Sequence, residues 1–305
     1  MDPYYTQTGN RDDLAVLPVG LPEGYIADLI YPPVPTMDKS GTVYYTAATA
    51  LADAQTGRSA GAAPSGTQLS NSTTTFTCVE AIKRYSITPD EAKQKGGIEK
   101  ADMQGAAASK RSVMRYIEAD VASLVLSGTA SATFDSAKAA TQVQDAIDSL
   151  EIYEGVSTLI TSTKTAKAMV QALLADSTSG KILSRIVSGT NPATAITGLN
   201  WQAWKDALAM FLGVDQVLLG KSSIWNATAI SGRFAIAMLQ NDEDAKGVPV
   251  LGRRYQFLRD GGNPWFVESI ADRLTKNNHY DASVWYDAVT LNSGAKRLFD
   301  GVQDA

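Results

Sequence analysis

From Ile98 to Leu126 apolar side chains return every three or four residues, at Met103, Ala107, Met114, Ile117, Val121 and Leu124, with Lys110 the exception. That period predicts a helix, roughly 43 Å long at ~1.5 Å per residue and much longer than the usual ~three turns. Gly128 ends it. Just upstream, Thr88-Pro89-Asp90-Glu91 is a helix start. Thr88 caps, Pro89 takes the first helical position and Glu91 completes a capping box. Gly96-Gly97 separates this turn from the long helix.

The other clear period is two. Tyr280, Ala282, Val284, Tyr286 and Ala288 alternate with Ser283, Trp285, Asp287 and Val289, which predicts a long strand over 280–291. Residues 73–87 are rich in β-branched and aromatic side chains and read as another long strand, with Cys78 inside it. Thr42-Val43-Tyr44-Tyr45-Thr46 is strand-like too. Between these two lies 55–71, small, polar and glycine-rich, which cannot bury enough surface to order itself. The three together predict an extended β-hairpin with a flexible tip. A two-stranded hairpin is marginal alone, so it must lean on something else.

The first 37 residues carry six prolines, which leaves little room for regular helix or sheet. They are also apolar, with Leu14, Val16, Leu17, Tyr25, Ile26, Leu29, Ile30 and Tyr31. Such an arm needs a surface to lie on, either its own core or a neighbouring subunit. One helical turn over 25–30 would place Ile26, Leu29 and Ile30 on one face. After Gly128, helices are expected over 137–150, over 163–174 and around Trp201, Trp204, Leu208 and Phe211. Strands are expected at 157–160, 217–219, 234–238, 255–258 and 265–270. There is no internal repeat and no regular βαβ alternation, so the class is α+β.

Composition narrows the chemistry. The 305 residues carry a formal charge of −5, with 19% charged residues against a usual ~25%. The acidic balance argues against a chain whose main task is gripping phosphates. No apolar run is long enough to span a membrane, and Met1-Asp2-Pro3-Tyr4-Tyr5 is not a secretory signal. One cysteine and one histidine exclude an intrachain disulfide, cysteine-based zinc and His-Glu-x-x-His zinc. They leave His279 as the single candidate base of a serine triad. His279 reads as part of a polar turn, and Cys78 as a packed small hydrophobe. Gly220-Lys221-Ser222 lacks the upstream glycine of a phosphate loop, since Asp215 stands there. Residues 241–247 resemble a calcium loop, but Lys246 occupies a ligand position and Arg253 replaces the closing glutamate. Lys100, Arg111 and Arg115 share one side of the long helix, diluted by Glu99, Asp102, Glu118 and Asp120, and read as a solvated face. No catalytic, metal or cofactor constellation emerges, and the chain reads as a structural protein rather than an enzyme.

The order of parts resembles the major capsid proteins of tailed bacteriophages, of the Hong Kong 97-like fold. The resemblance is carried by residues 26–35 with Ser40-Gly41-Thr42-Val43-Tyr44, by residues 211–220, and by Trp265-Phe266-Val267-Glu268-Ser269-Ile270 running into 280–291. It implies an N-arm over 1–37 and an E-loop hairpin over 38–87 reaching across an adjacent subunit. It implies a P-domain over 88–128 and 263–289 with the spine helix at about 98–126, and an A-domain over 129–262 and 290–305. The implied function is self-assembly, as hexamer and pentamer capsomers, into an icosahedral shell around a phage genome. The arm and hairpin would find their cover on neighbouring subunits. Partners would be other copies, a scaffolding protein that is separate or already cleaved, a portal, a decoration protein and weakly contacted double-stranded DNA. No membrane is involved. The location would be the virion, after assembly in the host cytoplasm. Inter-subunit contacts are expected at Tyr25, Ile26, Leu29, Arg58, Leu69, Asn277 and Asn278. Some family members join an E-loop lysine to a P-domain asparagine; residues 46–78 hold no lysine, so no such crosslink is expected here. The competing readings are an encapsulin-like nanocompartment of the same fold and a soluble α+β enzyme.

Overall fold

The computed structural model describes residues 6–17, 25–46, 71–153, 155–188, 201–239, 250–259, 262–272 and 274–302. Its helices are α1 (Asp12–Ala15), α2 (Ala27–Ile30), α3 (Pro89–Gln94), α4 (Ile98–Leu126), α5 (Ala139–Asp148), α6 (Thr163–Ala175), α7 (Ser179–Ser188), α8 (Trp201–Leu212) and α9 (Ser222–Trp225). Its strands are β1 (Gly9–Asn10), β2 (Pro33–Thr36), β3 (Ser40–Thr46), β4 (Asn71–Thr77), β5 (Val79–Ile87), β6 (Ala132–Thr133), β7 (Val156–Ser162), β8 (Gln216–Gly220), β9 (Phe234–Leu239), β10 (Gly252–Phe257), β11 (Trp265–Asp272), β12 (Asn277–Thr290) and β13 (Lys296–Asp300). The class is mixed α+β.

Strand β12 organises the first, six-stranded sheet. β11 pairs antiparallel with its first half, from Trp265↔Val284 to Asp272↔Asn277, and β10 with its second, from Gly252↔Thr290 to Gln256↔Tyr286. β5 runs along the opposite edge, from Val79↔Tyr286 to Ile87↔Asn278. The alternation read from the sequence is the pleat: Tyr280, Ala282, Val284 and Tyr286 are buried, packed against Ala101, Ala106, Val113 and Ile117 of α4. β2 adds in parallel to β10. Two prolines stand in β2, which only an edge strand tolerates.

The second sheet runs β6-β13-β9-β7-β8. Helices α5, α6 and α8 pack on one face through Val143, Met169, Leu173, Trp204 and Leu208. The other face receives the last turns of α4 (Val121, Val125, Leu126) with Trp225 and Ile30. The spine helix therefore lies under both sheets.

Four expectations are corrected. Residues 73–87 are not one strand. The ladder breaks at buried Cys78, where the chain leaves β4, paired with β3, and enters the six-stranded sheet as β5. Sheet membership therefore ends the hairpin at Thr77 rather than at residue 87, and it puts β10 with the six-stranded sheet. His279 does not sit in a turn; it is inside β12, opposite Ser86. The buried face of α4 is also rotated from the expected stripe: Met103 is 49% exposed, while Lys110, Asp102 and Glu118 are buried. Each of these three ionisable groups has bonding partners inside the fold, which an apolar count does not register.

Candidate functional site

The described residues hold no group of three or more histidine, cysteine, aspartate or glutamate side chains placed to bind a metal. No described helix is long and apolar enough to cross a membrane. One triad-like arrangement exists among the described residues. Ser86 Oγ lies 2.7 Å from His279 Nδ1, and His279 Nε2 lies 3.8 Å from Asp272 Oδ2. The second distance exceeds a hydrogen bond, and the serine and histidine are cross-strand neighbours on a pleated surface. Asp272 is occupied instead in the β11–β12 turn, accepting from Leu274 N at 2.9 Å, Thr275 N at 3.3 Å and Thr275 Oγ1 at 2.7 Å. Those bonds hold its carboxyl below the usual carboxylate range. The turn they stiffen presents Leu274 at 96% exposure.

What the geometry does build is two surfaces where one part of the chain is fastened to another, and a third that is exposed. The first is the root of the β3–β4 hairpin. Phe76 stacks on Tyr255 with ring centroids 4.5 Å apart, and Lys39 Nζ sits 3.5 Å from the centre of the Trp285 ring. Cys78 N donates to Lys39 O at 2.7 Å and Thr77 N to Asp287 Oδ2 at 2.7 Å. Gly41 is required here, because a Cβ would stand 2.9 Å from Phe76 Cε1. Farther out, Asn292 Nδ2 donates to Thr46 O at 3.3 Å, while Tyr44 faces solvent at 71%. The described part of the hairpin thus has cover from its own chain.

The second is the arm on the spine helix. Leu14 and Ala15 pack with Ala106, Val267 and Ala282. Ile26, Ala27, Ile30 and Tyr31 pack with Val121, Val125 and Trp225. Leu14, Ala15, Ile26, Ala27, Ile30 and Tyr31 of the arm therefore lie on this chain's own core, while Val16 and Leu29 stay exposed. The buried Glu118 carboxylate accepts from Ile26 N at 2.8 Å, Ala27 N at 3.0 Å and Trp225 Nε1 at 2.6 Å. Burial pushes its proton affinity up despite those three donors.

The third is the exposed flank of β5, where Val79, Ile82 and Tyr85 are 66%, 52% and 39% exposed, beside Tyr116 of α4 at 52%. Lys83 Nζ lies 5.7 Å from the Tyr116 ring centre.

The contact residues expected from sequence are scattered over these surfaces. Tyr25 is half-buried and accepts from Arg115 Nε at 3.1 Å. Leu29 is 46% exposed. Asn277 is half-buried at the start of β12. Ile26 and Asn278 face inward: Ile26 is in the core, and fully buried Asn278 accepts from Thr6 N through Oδ1 at 3.1 Å. Arg58, Leu69 and the calcium-like residues 241–247 lie outside the described residues. Sequence reasoning missed Lys39, Trp285 and Leu274. A lysine next to the start of a strand pattern and an aromatic on its polar face are the only signals the sequence carries for the first two.

A long helix crossing a sheet built on one central strand, a second sheet flanked by helices, and a two-stranded hairpin rooted between them define a class. The chain has the Hong Kong 97-like fold of tailed-phage major capsid proteins. Among solved structures it is similar to a phage-related protein from Bordetella bronchiseptica, with a TM-score of 0.67 and 16% identity over 97% of this chain and 98% of that one. It is also similar to the capsid structure of cyanophage P-SCSP1u, with a TM-score of 0.53 and 8% identity over 97% and 89%. A virus-like particle from Pyrococcus furiosus follows, with a TM-score of 0.51 and 10% identity over 88% and 90%. No family model and no curated protein sequence matches the chain.

Proposed function

We propose that this chain is the shell subunit of a tailed phage, a major capsid protein that assembles with copies of itself around double-stranded DNA. The observation that carries the reading is the likeness in fold to a cyanophage capsid and to a phage-related protein over most of both chains. In this reading the six-stranded sheet with α3 and α4 is the P-domain, the β3–β4 hairpin is the E-loop, and the five-stranded sheet with α5–α8 is the A-domain. The mechanism is additive. Contacts that are weak one at a time become strong when closed symmetry uses them together. Among the described residues, Leu274 and the exposed β5 side chains Val79 and Ile82 are apolar features left for neighbours, and a scaffold, portal or decoration protein would act on the same subunit. A second reading, a nanocompartment holding protein cargo, is favoured by the likeness to the Pyrococcus particle.

The test is particle size. Purified chain, with and without a candidate scaffolding protein, is run on a sizing column with light scattering, and the peak is imaged in negative stain. Shells, or rings of five or six subunits, support the reading. Shells filled with co-purifying protein rather than nucleic acid favour the nanocompartment. A chain that stays monomeric or dimeric with scaffold present overturns both.

A further inference from the structure

Three ionisable side chains stand eight residues apart on the buried face of α4: Asp102, Lys110 and Glu118, exposed by 5%, 2% and 2%. Each step is ~12 Å along the helix. All three hold the arm. Arg11 Nη1 donates to Asp102 Oδ2 at 2.8 Å, Lys110 Nζ donates to Ala15 O at 2.7 Å and Leu17 O at 3.0 Å, and Glu118 accepts from the start of α2. The outer two are well compensated. Asp102 has the Arg11 guanidinium and the Tyr280 hydroxyl at 2.6 Å, and Glu118 has three N–H donors. Lys110 is different. Its ammonium is buried against two neutral carbonyls and the Trp265 ring, 5.6 Å from its centre, and no ion pair links it to any described residue.

The charged groups on the surrounding elements are engaged elsewhere. On α1, Asp12 accepts from Asn10 and Asp13 pairs with Arg11. Arg259, before β11, pairs with Glu80, and Asp281 of β12 pairs with Arg84. Glu268 of β11 and Arg111 on the helix itself make no bond to Lys110. The apolar seat under this part of the arm is small, and β1 adds only Gly9↔Ser269 and Asn10↔Glu268 to the edge of β11.

We propose that residues 6–17 form a releasable strap over the spine helix, and that Lys110 is the positioning residue whose charge sets how readily the strap opens. In the closed state the ammonium has lost water and gained no counter-ion; on opening it regains water. Burial accordingly lowers the closed-state pKa from 10.5 to about 8. The sign follows. Below pH ~8 the lysine is charged in both states, and the closed strap bears the whole penalty. Between pH ~8 and ~10.5 the closed form is neutral while the open form is charged, so raising pH favours closure by up to ~300-fold. The neutral amine still has donors for both carbonyls. The proposal rests on the fold alone and stands whether or not the chain builds shells.

The experiment uses the full chain carrying Cys78→Ser and Ala15→Cys, so that the only thiol sits under the strap. Its modification rate is divided at each pH by the rate in denaturant, which removes the thiol's own ionisation. The expected ratio falls ~10-fold per pH unit above pH ~8. With Lys110→Met added it becomes flat, and with Arg11→Met added it rises at every pH but keeps its slope. A ratio that is flat or rises with pH, or the same fall with Lys110→Met, overturns the proposal. Hydrogen exchange at the Arg11 amide, which donates to Val267 O at 2.9 Å, reads the same opening without any cysteine. It decides the question should Ala15→Cys disturb the fold.

Discussion

Gly105 sits inside the spine helix, where alanine is intrinsically better by ~1 kcal/mol. The substitution Gly105→Ala should nevertheless destabilise this protein. An alanine Cβ would fall within the Tyr280 ring, 2.7 Å from Cγ and nearer still to Cδ2 and Cε2. That ring has no retreat. It is fully buried among Ile87, Ala92 and Ala101, and its hydroxyl is fixed to Asp102 Oδ1 at 2.6 Å. Overpacking of this kind costs ~1–3 kcal/mol, at the upper end where a rigid ring rather than a flexible chain must move. Subtracting the propensity gain leaves a net loss of ~1–2 kcal/mol, or a Tm lower by ~2–4 °C for a chain of this size. The assay is thermal and denaturant unfolding of the unassembled chain, extended to a cycle with Tyr280→Leu. Removing the ring should recover the alanine benefit, giving a coupling of at least ~1 kcal/mol between the two positions. A Gly105→Ala chain that melts higher than the parent, or a cycle with no coupling, refutes the close approach of helix and strand inferred here.

Other expectations follow from single contacts. Glu118→Gln replaces the acceptor of Ala27 N by an amide that can only donate or be turned away, costing ~1–3 kcal/mol. Because burial raises the folded-state pKa of Glu118, its contribution is most favourable at low pH and is lost as pH rises through that pKa, so the variant should lack this slope in denaturant midpoints taken across pH 4 to 8. Lys296→Met removes the donor to Leu124 O at 2.6 Å and Val125 O at 2.7 Å, and should speed hydrogen exchange in the last turn of α4 at a cost of ~1–3 kcal/mol. Deleting residues 55–71 should leave the melting transition of the body in place and weaken or abolish stable shells; normal shells from that deletion would remove the hairpin from the assembly mechanism. Denaturing gels of mature particles should show the monomer band and no covalent ladder, since residues 46–78 hold no lysine to join to Asn277 or Asn278.

How much of this was legible depended on whether one face of an element meets one layer. Strand β12 and helix α6 each keep a periodic apolar side, and their periods gave type and extent to within a few residues. The capping box at Thr88 and Glu91 forms as written. Helix α4 was found at its true ends, yet its inward face was misjudged, because Asp102, Lys110 and Glu118 are placed there by partners remote in sequence. The break at Cys78 was invisible for a related reason. Both β4 and β5 favour extended backbone, and only the competition between two partner strands, β3 and β12, decides where one sheet ends. The arm was hardest to read. Its prolines truthfully excluded long elements, but its cover on α4 is set by bonds that reach from Ile26 and Ala27 to Glu118.

The same long-range bonds explain why the two sheets act on one helix. Val113 and Ile117 belong to the core under β12, while Val121, Val125 and Leu126, one to two turns on, belong to the core under β9 and β13. The five-stranded sheet then grips the helix end itself. Lys296 of β13 takes two of its last carbonyls, and Arg233, just before β9, donates to Leu126 O at 3.2 Å and Gly128 O at 3.0 Å. Cations at a helix C-terminus complement its dipole as well as its unsatisfied acceptors. A tilt of the five-stranded sheet must therefore pull on the carboxyl end of α4, while the arm and β12 hold the other end through Arg11, Asp102 and Tyr280. Strain between the sheets is resolved along the helix, and Lys110, near its middle, is a fastening there whose buried ammonium is bonded only to neutral carbonyls.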